Sequence, residues 1–120
     1  MLPPEVRKFL FDIAQACQLL TEFVSGKTYE DYRVDALVRS AVERQFEIIG
    51  EALRAAVQSS PELAGRITHA SRIIAFRNRL IHAYASVADE VVWGVLEADL
   101  PRLTREVREL LGEPPGPQPG

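Results

Sequence analysis

The sequence predicts an all-α protein, an up-and-down helical bundle of four main helices in one domain. Three observations predict it. Apolar residues recur three and four apart through four long segments, the period of a helix with one buried side. Breakers separate those segments at Gly26, at Ser59-Ser60-Pro61 and again near Ser86. The 120 residues, 47% apolar and 26% charged, suit one modest core.

The first helix should start at Pro3-Pro4, because proline suits a first helical turn. Its stripe is Val6, Phe9, Leu10, Ile13, Cys17, Leu20, Phe23 and Val24, and Gly26 stops it. Cys17 falls on that stripe and reads as a small core residue. Thr28 and Asp31 form a capping pair that opens a long second helix running to about Ser59. Its expected buried face is Val34, Leu37, Val38, Ala41, Val42, Gln45, Ile48, Ile49, Ala52, Ala56 and Val57. Gly50 inside it costs about 1 kcal/mol against alanine, which a close helix crossing would explain. Glu43, Glu47 and Glu51 form a carboxylate row flanked by Arg39 and Arg54, a pattern that suits a solvated or subunit-facing surface.

Pro61 to Arg66 reads as a short helical turn closed by Gly65, and the third helix begins near His69 or Ala70. His69 is expected on the surface at that start. Ser86 and Asp89 read as a capping box opening the fourth helix, whose stripe is Ala88, Val91, Val92, Val95, Leu96, Leu103, Val107 and Leu110. Pro101 should kink or split it. Trp93 lies on its flank and suits packing. The domain is expected to span residues 1–112, and the Pro/Gly-rich residues 113–120 to form a disordered tail.

Bulk composition narrows the function. A lone cysteine excludes an intramolecular disulfide and a Cys-based zinc site, and two histidines thirteen apart make a poor metal site, so no metal and no cofactor are expected. The first residues lack the charged start and apolar run of a signal peptide, and no stretch approaches the ~20 apolar residues of a membrane span. A cytoplasmic, membrane-free protein is expected. The net charge of −3 argues against a generally basic nucleic-acid binder. Yet Gly65 to Ala88 holds Arg66, Arg72, Arg77 and Arg79 and no acidic residue. That segment suits a face turned toward a polyanion, with Arg72 and Arg79 as RNA-binding candidates.

Within it, Ile73-Ile74-Ala75-Phe76-Arg77-Asn78-Arg79-Leu80-Ile81-His82-Ala83-Tyr84 interrupts a helical apolar pattern with functional groups. On a helical wheel Ile73, Ile74, Leu80, Ile81 and Tyr84 lie within roughly 60° of Arg77, which places the arginine at the centre of the apolar stripe. A guanidinium there cannot shed its proton and needs a partner. The candidates are Asp99, on the apolar side of the fourth helix, and a glutamate of the second. Asn78 and His82 share the neighbouring face. Arginine and histidine without a metal set suit phosphodiester cleavage by the RNA's own 2′-hydroxyl: an acid and a base move protons while a cation steadies the phosphorane. One histidine per chain is thin for both proton roles, so two chains meeting along this face would complete the set. The same residues also fit a structural pair at a helix end, with His82 favoured by the helix dipole.

Arg77-Asn78, then His82-Ala83-Tyr84, spells Arg-x4-His-x-Tyr, which resembles the signature of the HEPN superfamily and, more narrowly, of HepT-like toxins. Ile49-Gly50-Glu51-Ala52 and Trp93 with Asp99-Leu100-Pro101 resemble flanking segments of the same family. The resemblance implies a HEPN-like bundle that forms a homodimer and acts as a metal-independent endoribonuclease. It implies catalytic roles for Arg77 and His82 and supporting roles for Asn78 and Tyr84. It further implies an MNT-type nucleotidyltransferase antitoxin that transfers AMP to Tyr84, placing bulky anions where they would repel RNA. The chain departs from relatives at Ala70, where tryptophan is frequent, and at Ala75 and Ala83, where glycine is frequent. A non-catalytic HEPN module that docks a nucleotidyltransferase and binds nucleotide or RNA is the alternative.

Overall fold

The computed structural model describes residues 2–82 and 87–113. Within them lie six α-helices, α1 (Pro4–Val24), α2 (Tyr29–Arg33), α3 (Ala36–Ser59), α4 (Ala70–His82), α5 (Asp89–Ala98) and α6 (Leu100–Leu110), with a 3₁₀ turn at Pro61–Gly65 before α4. Among the described residues there is no strand. The all-α class therefore stands, with two of the four expected helices divided.

The first division follows from two competing caps. Thr28 and Asp31 do form a capping box, each side chain bonded to the other's backbone N–H. Four residues later, however, the Asp35 carboxylate accepts from the N–H groups of Leu37 and Val38 and starts α3 afresh. The break rotates the chain. Val34 and Leu37 are 65% and 80% exposed rather than buried. Phe46 and Leu53 join Val42, Ile49, Ala52 and Ala56 inside instead. The second division is the one Pro101 announces: α5 ends at Ala98 and α6 begins at Leu100 with the proline in its first turn. α5 starts at Asp89 with Ala88 as an N-cap that offers no side-chain bond, and Ser86 of the expected capping box lies outside the described residues.

α1 lies along α3, α3 carries α4, and α6 closes against α1 and α5. Val6, Leu10, Ile13, Cys17 and Leu20 of α1 meet Val42, Ile49, Leu53 and Ala56 of α3 and Leu103 and Val107 of α6 in one core. Burial pushes the Cys17 thiol up to about 11, against smaller opposing effects of Thr104 and Arg108, so it is an inert core group. Trp93 stacks at a tilt against Tyr29 and Tyr32, with centroids 6.2 and 5.5 Å away, and so pins α2 to α5. Glu106 accepts from the Thr68 backbone N–H at 3.0 Å and its hydroxyl at 2.7 Å, which holds the approach to α4 against α6. Among the described residues no helix is long and apolar enough to cross a membrane. Residues 114–120, most of the expected tail, lie outside the described residues.

Candidate active site

α4 turns a different side inward from the one the wheel suggests. Ala70, Ile73 and Phe76 are its buried residues, and Phe76 meets Phe46 edge-on at 5.3 Å. Ile74 is half-buried and Ile81 is 37% exposed. Arg77 therefore stands at the border of the buried stripe, not at its centre. Packing against α3 selects the Ile73–Phe76 side, because the large flat ring of Phe76 fills more core than the isoleucines would.

Arg77 reaches that border because Gly50 lets it. A Cβ at Gly50 would lie 2.2 Å from the Arg77 Cβ and 2.7 Å from its Cγ. The α3 glycine is thus the floor over which the arginine side chain runs, the close crossing its cost in helix stability implies. The side chain is only 17% exposed, and its end emerges between two partners. Arg77 Nη2 donates to Glu51 Oε2 at 3.2 Å, and Nη1 donates to Asn78 Oδ1 at 3.0 Å. The acid facing Arg77 is therefore the α3 glutamate next to Gly50. Asp99 is not: its carboxylate takes Arg102 at 2.9 Å. The buried Nε–H of Arg77 has no partner among the described residues. Leaving such a donor unpaired costs about 1–3 kcal/mol, which a chain selected for stability alone would shed.

Two anchors, Glu51 on Nη2 and Asn78 on Nη1, hold the guanidinium in one plane. A guanidinium fixed in this way can offer its planar donors to an anionic oxygen. His82 is the last residue of α4, exposed, with no hydrogen-bond partner among the described residues. Asn78 and His82 are four apart and share a face beside Arg77. The structure thus brings Arg77, Asn78 and Glu51 into direct contact and sets His82 on the adjoining surface. Arg72 and Arg79 do not join them. Both project from the far side of α4, toward α5. Tyr84 lies outside the described residues. Glu51 is the functional candidate the sequence left undecided, and its signal was its place directly after the glycine.

A family profile described as "Ribonuclease HepT-like" matches residues 13–110. The chain is 34% identical over 104 residues to the "Probable ribonuclease HepT" of Thermococcus cleftensis, covering 87% of this chain and 94% of that one. It is 32% identical over 105 residues to "Putative RNase TTE0752" of Caldanaerobacter subterraneus subsp. tengcongensis, covering 88% and 93%. The chain belongs to the HepT-like ribonuclease family. No solved structure matches it. In this HepT-like chain, no group of three His, Cys, Asp or Glu residues among the described residues is placed to hold a metal ion. The polar groups gathered on the α3–α4 surface are instead a cation, its acid, an amide and an imidazole.

Proposed function

We propose that the chain is a metal-independent endoribonuclease, the toxin of a toxin–antitoxin pair, acting in the cytoplasm as a homodimer. One observation carries the reading. In a HepT-like chain, Arg77 is seated over Gly50, anchored by Glu51 and Asn78, and followed five residues later on the same helix by an exposed His82. The substrate's 2′-oxygen attacks its own phosphorus and the bond to the 5′-oxygen breaks. Arg77 stabilises the charge that grows on the non-bridging oxygens. His82 of one chain takes the 2′-proton, and His82 of a second chain protonates the departing 5′-oxygen. The products are a 2′,3′-cyclic phosphate and a 5′-hydroxyl. The half-buried Ile74 and exposed Ile81 beside Arg77 supply apolar surface on which the second chain would sit. The inhibitor is an MNT-type nucleotidyltransferase that transfers AMP to Tyr84, so that added phosphate repels RNA.

The second reading is a non-catalytic module that docks the nucleotidyltransferase and binds nucleotide or RNA. Purified, unmodified protein incubated with RNA and a chelator separates the two. The ribonuclease yields 5′-hydroxyl ends and leaves 2′-O-methyl RNA intact. A dimer that binds RNA and cuts none is the module. Intact mass after co-expression with the nucleotidyltransferase tests the switch: wild type gains AMP units and Tyr84→Phe does not.

A further inference from the structure

α4 rests on α3, α5 rests on α6 and α2, and the described residues of α4 and α5 barely touch. The space between them is an open cleft of about 260 Å³. Ile73, Val91 and Val95 form its apolar floor, and His69, Arg72 and Arg79 stand at its rim. We propose that this cleft is a second RNA contact that holds one nucleotide of a single strand outside the cutting site. The base lies on the aliphatic floor and flanking phosphates lie on Arg72 and Arg79. The proposal rests on the ribonuclease reading and names where the rest of the substrate goes.

The two arginines are seven residues apart, so they stand ~10 Å apart along the axis and only ~20° apart around it. Ala75 lies between them on the same ridge, and its small side chain leaves the gap open. Neither arginine pairs with an acid among the described residues. Asp99, the one carboxylate lining the cleft, is already taken by Arg102 at 2.9 Å. Cations over an apolar floor match a nucleotide better than a free phosphate or an uncharged side chain. The cleft and the Arg77 site lie on opposite sides of one helix, α4. Around α4 from Arg77, Asn78 lies at ~100°, His82 at ~140°, and Arg79 and Arg72 at ~200–220°. A strand leaving the guanidinium crosses His82 and meets the arginine ridge.

His69 adds a polar edge. It is the one non-glycine among the described residues with positive φ, at 58°, a conformation that costs a histidine of order 1 kcal/mol. Glycine would make the same turn without strain. The ring Nδ1 accepts from Arg102 Nη2 at 3.1 Å, which leaves the ring N–H on Nε2. With its side chain 42% exposed at the rim, that N–H is a donor for a base acceptor.

The test is equilibrium binding of an uncleavable 2′-O-methyl single-stranded RNA of about twelve nucleotides, followed by anisotropy across a salt series. The variants are Arg72→Ala/Arg79→Ala, His69→Gly, and Arg105→Ala as an exposed-arginine control on α6. Each single-strand phosphate contact contributes ~0.7 to the salt slope, so the double variant should be shallower by about 1.4 and bind at least roughly tenfold more weakly at low salt. His69→Gly should keep the slope and the melting temperature while losing affinity. Arg105→Ala should match wild type. A double variant with the wild-type slope and affinity overturns the proposal. Cleavage is read separately. A chain that cuts RNA but shows no slope change sinks the cleft alone. One that shows the slope change but never cuts supports the cleft and sinks the ribonuclease reading.

Discussion

Arg77 depends on a residue that has no side chain. In Gly50→Ala the added methyl would gain about 1 kcal/mol of helix propensity but meet Arg77 at 2.2 Å, and overpacking of this kind costs about 1–3 kcal/mol. A lower melting temperature and loss of cleavage are expected together. A stabilised and fully active variant would show that the guanidinium does not need this seat. Glu51 should behave differently. Its carboxylate is 67% exposed, so its pair with Arg77 is worth less than about 1 kcal/mol to the fold. Its use lies in aiming the guanidinium. Glu51→Gln should melt within a few degrees of wild type yet cleave roughly tenfold to a hundredfold more slowly, the scale of a misplaced catalytic group. Kinetics beside a thermal melt would read both. At this scale the sequence was legible in kind but not in partner. A helical arginine among isoleucines demanded an acid, but the choice between Asp99 and an α3 glutamate depended on tertiary placement. Arg102, three residues beyond Asp99, claimed that carboxylate locally.

Helix boundaries obeyed the caps more than the apolar rhythm. Pro4, Gly26, Pro61 and Pro101 punctuate the chain where their chemistry requires, and the bounds of α1, the start of the 3₁₀ turn and the α5–α6 break follow from them. The α2–α3 break does not announce itself, because Val34 and Leu37 continue an apolar pattern across it. The Asp35 side chain decides the matter by bonding two amide groups that would otherwise go unsatisfied. Asp35→Ala should therefore cost about 1 kcal/mol in a urea titration, with the slope unchanged because the same surface is exposed on unfolding. No loss would mean that α2 and α3 can run together as one helix. The rotation of α4 was hidden for a related reason. Ile73, Ile74, Leu80 and Ile81 surround Arg77 evenly on a wheel, and periodicity alone cannot say which half a neighbour will cover. Phe76 broke that symmetry by packing on Phe46.

The molecule measures 44 × 39 × 19 Å, a slab about two helices deep, since a helix with its side chains is ~10 Å across. So thin a body leaves one side of α4 uncovered, and the Arg77 face with Ile81 opens there. If a second chain covers it, wild type should sediment as a dimer at micromolar concentration and Ile81→Glu as a monomer without cleavage. A monomeric wild type that still cuts RNA would remove the two-histidine scheme. The helical class and the single core were readable from the sequence, as was the stretch on which Arg77, Asn78 and His82 stand. The cleft between α4 and α5 was not, because it arises from two helices that diverge. The central claim is that Arg77 and His82 cut RNA, and single-turnover cleavage by wild type, Arg77→Ala and His82→Ala in the presence of chelator tests it most directly. Both variants should fold like wild type and lose a factor of roughly 10²–10⁴ in rate. A His82→Ala protein that cleaves as fast as wild type would contradict it.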